Sequence, residues 1–278
     1  MRIGLSTRGS AAMRCYWRIL FVCLLCGLAL LPEREAGAVE GYPGSAWGIL
    51  SHNSNGLTGS GGMGWINQGV DWFALPGGVM LNTYAEYRFR QRTKQYEYYN
   101  TQGPVAGLEL KRSSLHLGVD YYWEKMPDYP GGARQSKNRE CYLTGFYDWD
   151  LKKNAAPGLT GISGMPGSIW LNLTYDINGL AGSGGTGWIN QGIDWFVLPG
   201  NVAFNTYAEY RMRERTRLQD YYNVRGPAVG LEFKNPSVRL GADYYWEHYP
   251  VLGTRSNTIE FYLAWYVDWD LKRLIRKE

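Results

Sequence analysis

Apolar and polar residues alternate along most of the chain with a period of two. The clearest example lies within 114–126, where an apolar face carries Leu115, Leu117, Val119, Tyr121 and Trp123. The opposite face carries His116, Gly118, Asp120, Tyr122 and Glu124. Because successive side chains of a β-strand point to opposite faces, this pattern predicts strands. No segment shows a convincing period of 3.6 residues, so little helix is expected.

The alternation predicts two groups of six strands. The first group is expected at 46–54, 63–75, 79–92, 104–111, 114–126 and 139–151. The second group is expected at 168–176, 186–198, 202–215, 227–234, 237–249 and 259–271. Tight turns are expected at 76–78, 111–114, 199–201 and 235–236, and longer loops at 55–62, 93–103 and 127–138. Short turns that alternate with long loops are typical of outer-membrane barrels.

One long sequence occurs twice in the chain. Residues 43–127 match residues 166–250 at a constant offset of 123, and the match resumes at Glu140 and Glu260 with an offset of 120. We therefore expect two six-stranded repeats, 43–151 and 166–272, joined by a linker at 152–165. The linker could be a turn within one barrel of about twelve strands, or a connection between two six-stranded domains.

The first 38 residues have the organisation of a signal peptide. Four arginines precede an apolar run at 19–31, which is too short to span a bilayer, and Ala36-Gly37-Ala38 is a candidate cleavage site. We expect a signal peptide at 1–38 and a mature barrel at 39–278. Of 29 basic and 25 acidic residues, the expected mature chain keeps 24 and 23, a net charge of +1. Such a charge gives no electrostatic case for nucleic-acid binding.

Two environments fit strands with one apolar and one charged face. In a soluble sandwich the apolar face packs inward, whereas in a membrane barrel it meets lipid and the charged face lines the lumen. Strands of about fourteen residues, at roughly 3.3 Å per residue, are long enough to cross a bilayer when tilted. Trp and Tyr residues near strand ends also favour the barrel. Gln68 and Gln191 argue against it, because they interrupt apolar faces.

The sharpest local signal is a ladder of arginines in each repeat. Three guanidinium groups at alternate strand positions share one face, about 7 Å apart. The candidate binding residues in the lumen are Arg88, Arg90, Arg92, Arg211, Arg213, Arg215, Glu86, Glu209, Asp120 and Asp243. The arginines could form a track for carboxylates, sulfates or phosphates. Alternatively, they pair with neighbouring acidic side chains.

Other residues carry weaker signals. Neighbouring aromatics in two predicted loops could stack on sugar rings or pack the loops: Tyr98, Tyr99, Tyr221 and Tyr222. The three histidines, His52, His116 and His248, lie at no spacing typical of metal ligands. No Ser/His/acid arrangement stands out. We therefore expect no catalytic residue, no metal, no cofactor and no enzymatic activity.

In these features the chain resembles Gram-negative outer-membrane β-barrel proteins as a class. In its length, expected strand number and arginine ladders it is similar to small porins for acidic oligosaccharides. This resemblance implies an antiparallel up-and-down barrel in the outer membrane, with lipid and anionic saccharides as partners. The first hypothesis is a channel or surface receptor. The alternatives are a secreted or periplasmic glycan-binding pair of β-domains, and an outer-membrane enzyme that modifies lipid.

Overall fold

The computed structural model describes residues 39–54, 59–93, 100–129, 131–154, 161–177, 182–216 and 223–272. The predicted signal peptide, 1–38, lies outside this part of the chain, as do the four loop tyrosines. Within the described residues no helix is long and apolar enough to cross a membrane.

Twelve β-strands account for nearly all of the described residues. In the first half they are β1 (Pro43–Asn53), β2 (Gly61–Leu75), β3 (Val79–Arg92), β4 (Thr101–Arg112), β5 (Leu115–Met126) and β6 (Arg134–Asp150). A short helix, α1 (Leu151–Asn154), follows β6. In the second half the strands are β7 (Pro166–Asp176), β8 (Gly184–Leu198), β9 (Val202–Arg215), β10 (Val224–Lys234), β11 (Val238–Tyr249) and β12 (Thr254–Asp270).

The strands form a single closed barrel. Each strand pairs antiparallel with its neighbours in sequence, and β1 pairs with β12 from Pro43–Asp270 to Asn53–Glu260. β6 pairs with β7, so the segment after β6 is a connection within the barrel. The predicted all-β, up-and-down barrel is therefore confirmed, and the open choice between one barrel and two domains is settled in favour of one.

The two predicted Pro-Gly turns form as expected. Gly77 and Gly78 both have positive φ angles, 80° and 73°, between β2 and β3. In the equivalent turn Gly200 has a φ of 81° and Asn201 a φ of 58°. Asn is, after Gly, among the residues that best tolerate this region, so both sequences fit a tight turn.

Apolar side chains lie on the outside of the barrel and charged ones on the inside. On β5, Leu115 and Trp123 are 54% and 42% exposed, whereas Asp120 and Glu124 are only 6% and 8% exposed. The other strands repeat this arrangement, with exposed Ile66, Leu231 and Phe261 among many. A water-soluble protein has the opposite arrangement, so this exterior suits hydrocarbon.

Gln68 and Gln191 do not break the apolar exterior. The amide nitrogen of Gln68 donates to the backbone carbonyls of Tyr42, Pro43 and Gly69, and its oxygen accepts from the indole of Trp269 at 2.9 Å. Gln191 makes the matching contacts, including one from Trp149 at 2.8 Å. Because the polar atoms of both amides have protein partners, these residues are compatible with a lipid-facing surface.

Candidate functional site in the barrel lumen

The two arginine ladders lie on opposite walls of the lumen. Arg88, Arg90 and Arg92 belong to β3, and their counterparts belong to β9, six strands further around the ring of twelve. Glu86 and Glu209 lie on the same lumen faces. All ten candidate residues lie on the inner side of the sheet.

Arg88 is surrounded by three carboxylates. It donates from Nε to Glu86 and from Nη2 to Asp120 at 2.7 Å, and its Nη1 lies 3.8 Å from Glu140. The side chain of Asp120 is almost fully buried. Arg88 also lies over the ring of Tyr122, 5.7 Å from the ring centroid. Its positive charge is thus already neutralised within the protein.

Arg211 has the equivalent surroundings in the second half. It contacts Glu209 and Asp243, and its Nη1 lies 3.5 Å from Glu260. It lies 5.3 Å from the ring centroid of Tyr245. The structure therefore brings together the sequence-predicted arginines and carboxylates of each half.

Glu140 and Glu260 connect the two halves across the lumen. Glu140 on β6 lies 3.8 Å from Arg88 and 3.6 Å from Arg215. Glu260 on β12 lies 3.5 Å from Arg211 and 3.9 Å from Arg92. We call the six residues Arg88, Arg92, Glu140, Arg211, Arg215 and Glu260 the lumen brace. Since β3, β6, β9 and β12 are spaced by quarter turns around the barrel, the lumen brace joins these four strands through two sets of charge contacts, one centred on Glu140 and one on Glu260.

In addition to its contact across the lumen, the third arginine of each ladder forms a hydrogen bond to a hydroxyl group on a nearby strand. Arg92 donates to the hydroxyl of Ser51 on β1, and Arg215 donates to that of Thr174 on β7. Arg90 and Arg213, the middle members, are half-buried on the same lumen faces. The ladders are therefore parts of a connected polar network.

A second layer of hydrogen bonds fills the lumen beside the brace. Tyr84 donates to Tyr142 at 3.1 Å, and Tyr142 donates to Glu109 at 3.0 Å. In the second half Tyr262 donates to Glu232 at 2.9 Å, and the hydroxyls of Tyr207 and Tyr262 lie 3.0 Å apart.

Ion pairs continue the filling toward the end with the short turns. Lys111 lies 2.7 Å from Asp71, and Lys234 lies 3.0 Å from Asp194. Asn82 and Asn205 also donate to these two aspartates, each at 2.7 Å.

Carboxylates outnumber basic groups on the described lumen face. The acidic strand residues there are Asp71, Glu86, Glu109, Asp120, Glu124, Glu140, Asp148, Asp150, Asp176, Asp194, Glu209, Glu232, Asp243, Glu247, Glu260, Asp268 and Asp270. The basic ones are Arg88, Arg90, Arg92, Lys111, Arg134, Arg211, Arg213, Arg215, Lys234 and Arg239. The described lumen wall therefore carries a net negative charge at neutral pH.

Sequence reasoning did not select Glu140 and Glu260 as site residues. Both carry a usable signal, because they begin the matched segments at 140 and 260 and share a face with Tyr142 and Tyr262. What the sequence did not show is that β6 and β12 lie midway between the two ladder strands.

Sequence reasoning also missed a contact between His52 and Ser60, whose Nδ1 and Oγ atoms lie 2.5 Å apart at the outer rim. Within the described residues no carboxylate contacts His52, and no group of side chains could hold a metal ion. Among the described residues, therefore, no carboxylate orients His52 as the acidic member of a catalytic triad would.

A closed antiparallel barrel with an apolar exterior and a charged, hydrogen-bonded interior is the architecture of outer-membrane β-barrel proteins. No family model and no curated protein matches this chain.

Several solved structures are similar in fold. They include the β-domain of the Bordetella autotransporter Brka (12% identity, TM-score 0.36, covering 81% of this chain and 98% of that one). The translocator domain of autotransporter NalP from Neisseria meningitidis has 9% identity and a TM-score of 0.30, with 91% and 97% covered. OccK10 from Pseudomonas aeruginosa has 10% identity and a TM-score of 0.25, with 84% and 100% covered. At these low scores the similarities add nothing to the functional argument, which depends on the barrel itself.

Proposed function

We propose that this protein spans the bacterial outer membrane and acts as a channel whose narrowest part is the lumen brace. The observation that carries the proposal is the inside-out arrangement of the barrel, with apolar side chains outside and charged ones inside. Barrels of eight strands are filled by side chains, and barrels of sixteen or more leave an aqueous pore. At twelve strands the side chains of the lumen determine whether solutes pass.

The lumen brace is suited to restrict passage to small ions. Its arginines reach carboxylates on strands a quarter turn away, so the contacts cross the lumen instead of following the wall. Fixed charges of both signs at a constriction act on any permeating ion. Because acidic groups are in excess on the described lumen face, we expect the channel to prefer cations.

A second hypothesis, which competes with a small-ion channel, is that anionic oligosaccharides move along the arginine ladders. The alignment of three arginines on each of two opposite strands favours it. An anionic sugar would have to exchange with the carboxylates that already contact Arg88 and Arg211. Neither this hypothesis nor the channel itself requires a covalent step.

Single-channel recording in planar bilayers tests the proposal. The double change Glu140→Gln and Glu260→Gln removes the two shared acceptors of the lumen brace. We expect a larger conductance and a shift of the reversal potential toward anions, because the arginines are released from their cross-lumen contacts. Recordings with an acidic oligosaccharide on one side of the bilayer test the ladders. If the sugar binds there, it should block the ion current, and the triple change Arg88→Gln, Arg90→Gln and Arg92→Gln should relieve this block.

The matched control is Asp148→Asn with Asp268→Asn. This variant removes the same charge from the lumen face of the same two strands, but at exposed positions outside the lumen brace. It should change selectivity slightly and leave the conductance close to that of the wild type. If the control raises the conductance as much as the brace variant does, the constriction lies elsewhere. If neither the wild type nor either variant conducts ions, the channel proposal is wrong.

A further inference from the structure

Three basic side chains lie together on the outer surface of β5 and β6. Lys125, Lys137 and Arg139 occupy outward positions near the end of the barrel that carries the longer loops, and all three are exposed. Residues 137 and 139 are two positions apart on β6, about 7 Å. Lys125 is a diagonal neighbour of Lys137 across the strand pair, at about 7–8 Å.

An aromatic pair lies at the same level of the barrel. Tyr121 and Trp123 are neighbours on the outer face of β5, with ring centroids 4.5 Å apart. Arg139 is the cross-strand partner of Tyr121 and lies 5.9 Å from its ring centroid, and Lys137 is the partner of Trp123. Such aromatic pairs occupy the boundary between acyl chains and headgroups in membrane barrels. The three cations are therefore at headgroup depth.

These three basic residues have no ion-pair partner within the described residues. No described carboxylate lies within ion-pair distance of Lys125, Lys137 or Arg139, whereas Arg88 and Arg211 in the lumen contact carboxylates. Uncompensated positive charge beside a lipid surface favours an anionic ligand.

The second half of the barrel provides an internal comparison. Tyr244 and Trp246 form the equivalent aromatic pair, 4.7 Å apart, but their cross-strand partners are Ile259 and Asn257. His248 takes the place of Lys125, and its partners Arg225 and Arg255 lie at that same level, where Arg225 pairs with Glu214 at 3.4 Å. Lys137 and Arg139, beside the aromatic pair, therefore have no basic counterparts on β12.

We propose that Lys125, Lys137 and Arg139 bind the phosphate groups of a phosphorylated glycolipid in the outer leaflet. This proposal rests on the outer-membrane placement proposed above, with the longer loops on the outside. Arg139 supplies bidentate hydrogen bonds to a phosphate, and the two lysines supply compact charges on either side. The rings of Tyr121 and Trp123 pack against the sugar or the upper acyl chains.

The test uses the full chain in vesicles that contain diphosphoryl lipid A, followed by extraction in mild detergent and mass spectrometry of the retained lipid. We expect wild-type protein to retain diphosphoryl lipid A, and dephosphorylated lipid A to be lost. Each basic residue near a lipid surface contributes about a fivefold gain in affinity, so Lys125→Gln, Lys137→Gln and Arg139→Gln together should weaken retention about 100-fold. The control, Arg225→Gln with Arg255→Gln, should weaken it about fivefold or less, since Arg225 is already paired.

Each alternative result overturns the proposal. If the triple variant retains as much lipid A as the wild type, the three residues do not bind it. If the control variant loses as much lipid A as the triple variant, the effect comes from general surface charge. Displacement of lipid A by excess inorganic phosphate would identify an anion site without lipid specificity. Heat-dependent gel mobility of the same samples, together with outer-membrane fractionation of the cells that produce the protein, separates this failure from failure of the membrane placement, because a soluble chain would fail both.

Discussion

Gly107 shows how a single residue determines the packing of the lumen wall. A Cβ atom at this position would lie 2.2 Å from the ring of Tyr84. The same relation holds for Gly118 with Tyr142, at 2.4 Å. Each tyrosine ring lies over the glycine that is its direct partner on the adjacent strand, and its hydroxyl takes part in the hydrogen-bond layer beside the lumen brace.

Gly107→Ala should therefore destabilise the barrel. The methyl group would displace Tyr84, which is buried, so we expect a loss of about 1–3 kcal/mol in the free energy of unfolding, as for other overpacked sites. Urea unfolding in lipid vesicles, followed by tryptophan fluorescence, measures this loss. The control is Gly145→Ala on β6, where the nearest atom to the added Cβ is 3.8 Å away. The packing argument fails if both variants lose the same stability.

At the scale of elements, alternation in the sequence predicted the strands well and their ends less well. β3 has the predicted bounds, 79–92. β6 begins at Arg134 instead of 139, because residues 134–138 are polar on both faces and carry no alternation, although the backbone continues to pair. β4 begins at Thr101 instead of 104, because residues 101–103, which were expected to end a loop, already pair with β3.

The candidate site was predictable only in part, because a local sequence pattern does not show which strands meet around the closed barrel. A period of two identifies which side chains share a face, so the ladders and Asp120 could be placed in one lumen. The partners of a guanidinium depend on which strands meet around the closed ring. Arg92 on β3 and Glu260 on β12 lie close together only because β1 pairs with β12 and closes the ring, and no local pattern contains that information.

The closure of the barrel can be tested by a cross-strand disulfide. Leu50 on β1 is the partner of Leu263 on β12, and Leu143 on β6 is the partner of Leu173 on β7. In a Cys141→Ser background, Leu50→Cys with Leu263→Cys should cross-link on oxidation, because paired strands hold Cα atoms about 4.5–5.5 Å apart. The cross-linked chain would show altered mobility after boiling without reductant. If instead each half closed on itself, Leu50→Cys with Leu143→Cys would be the pair that cross-links.

At the scale of the whole molecule, the barrel combines a lipid-compatible exterior with an interior held by charge. Cross-lumen contacts at Glu140 and Glu260 tie together strands that share no backbone hydrogen bonds. Removing one partner of such a buried pair leaves an uncompensated charge, which is costly. The lumen brace therefore serves the stability of the barrel as well as the restriction of its lumen.

If the apolar face of every strand meets acyl chains, the collision accessibility of spin labels on that face will show it. Single cysteines would replace Leu117, Val119, Leu240 and Phe261 in a Cys141→Ser background, with Ser54→Cys in an exposed connection as the aqueous reference. In lipid vesicles we expect the four outward labels to collide often with oxygen and rarely with a water-soluble nickel chelate. The label at position 54 should show the reverse pattern. Outward labels that collide with the chelate as often as position 54 does, or that are shielded from both reagents, would contradict this expectation.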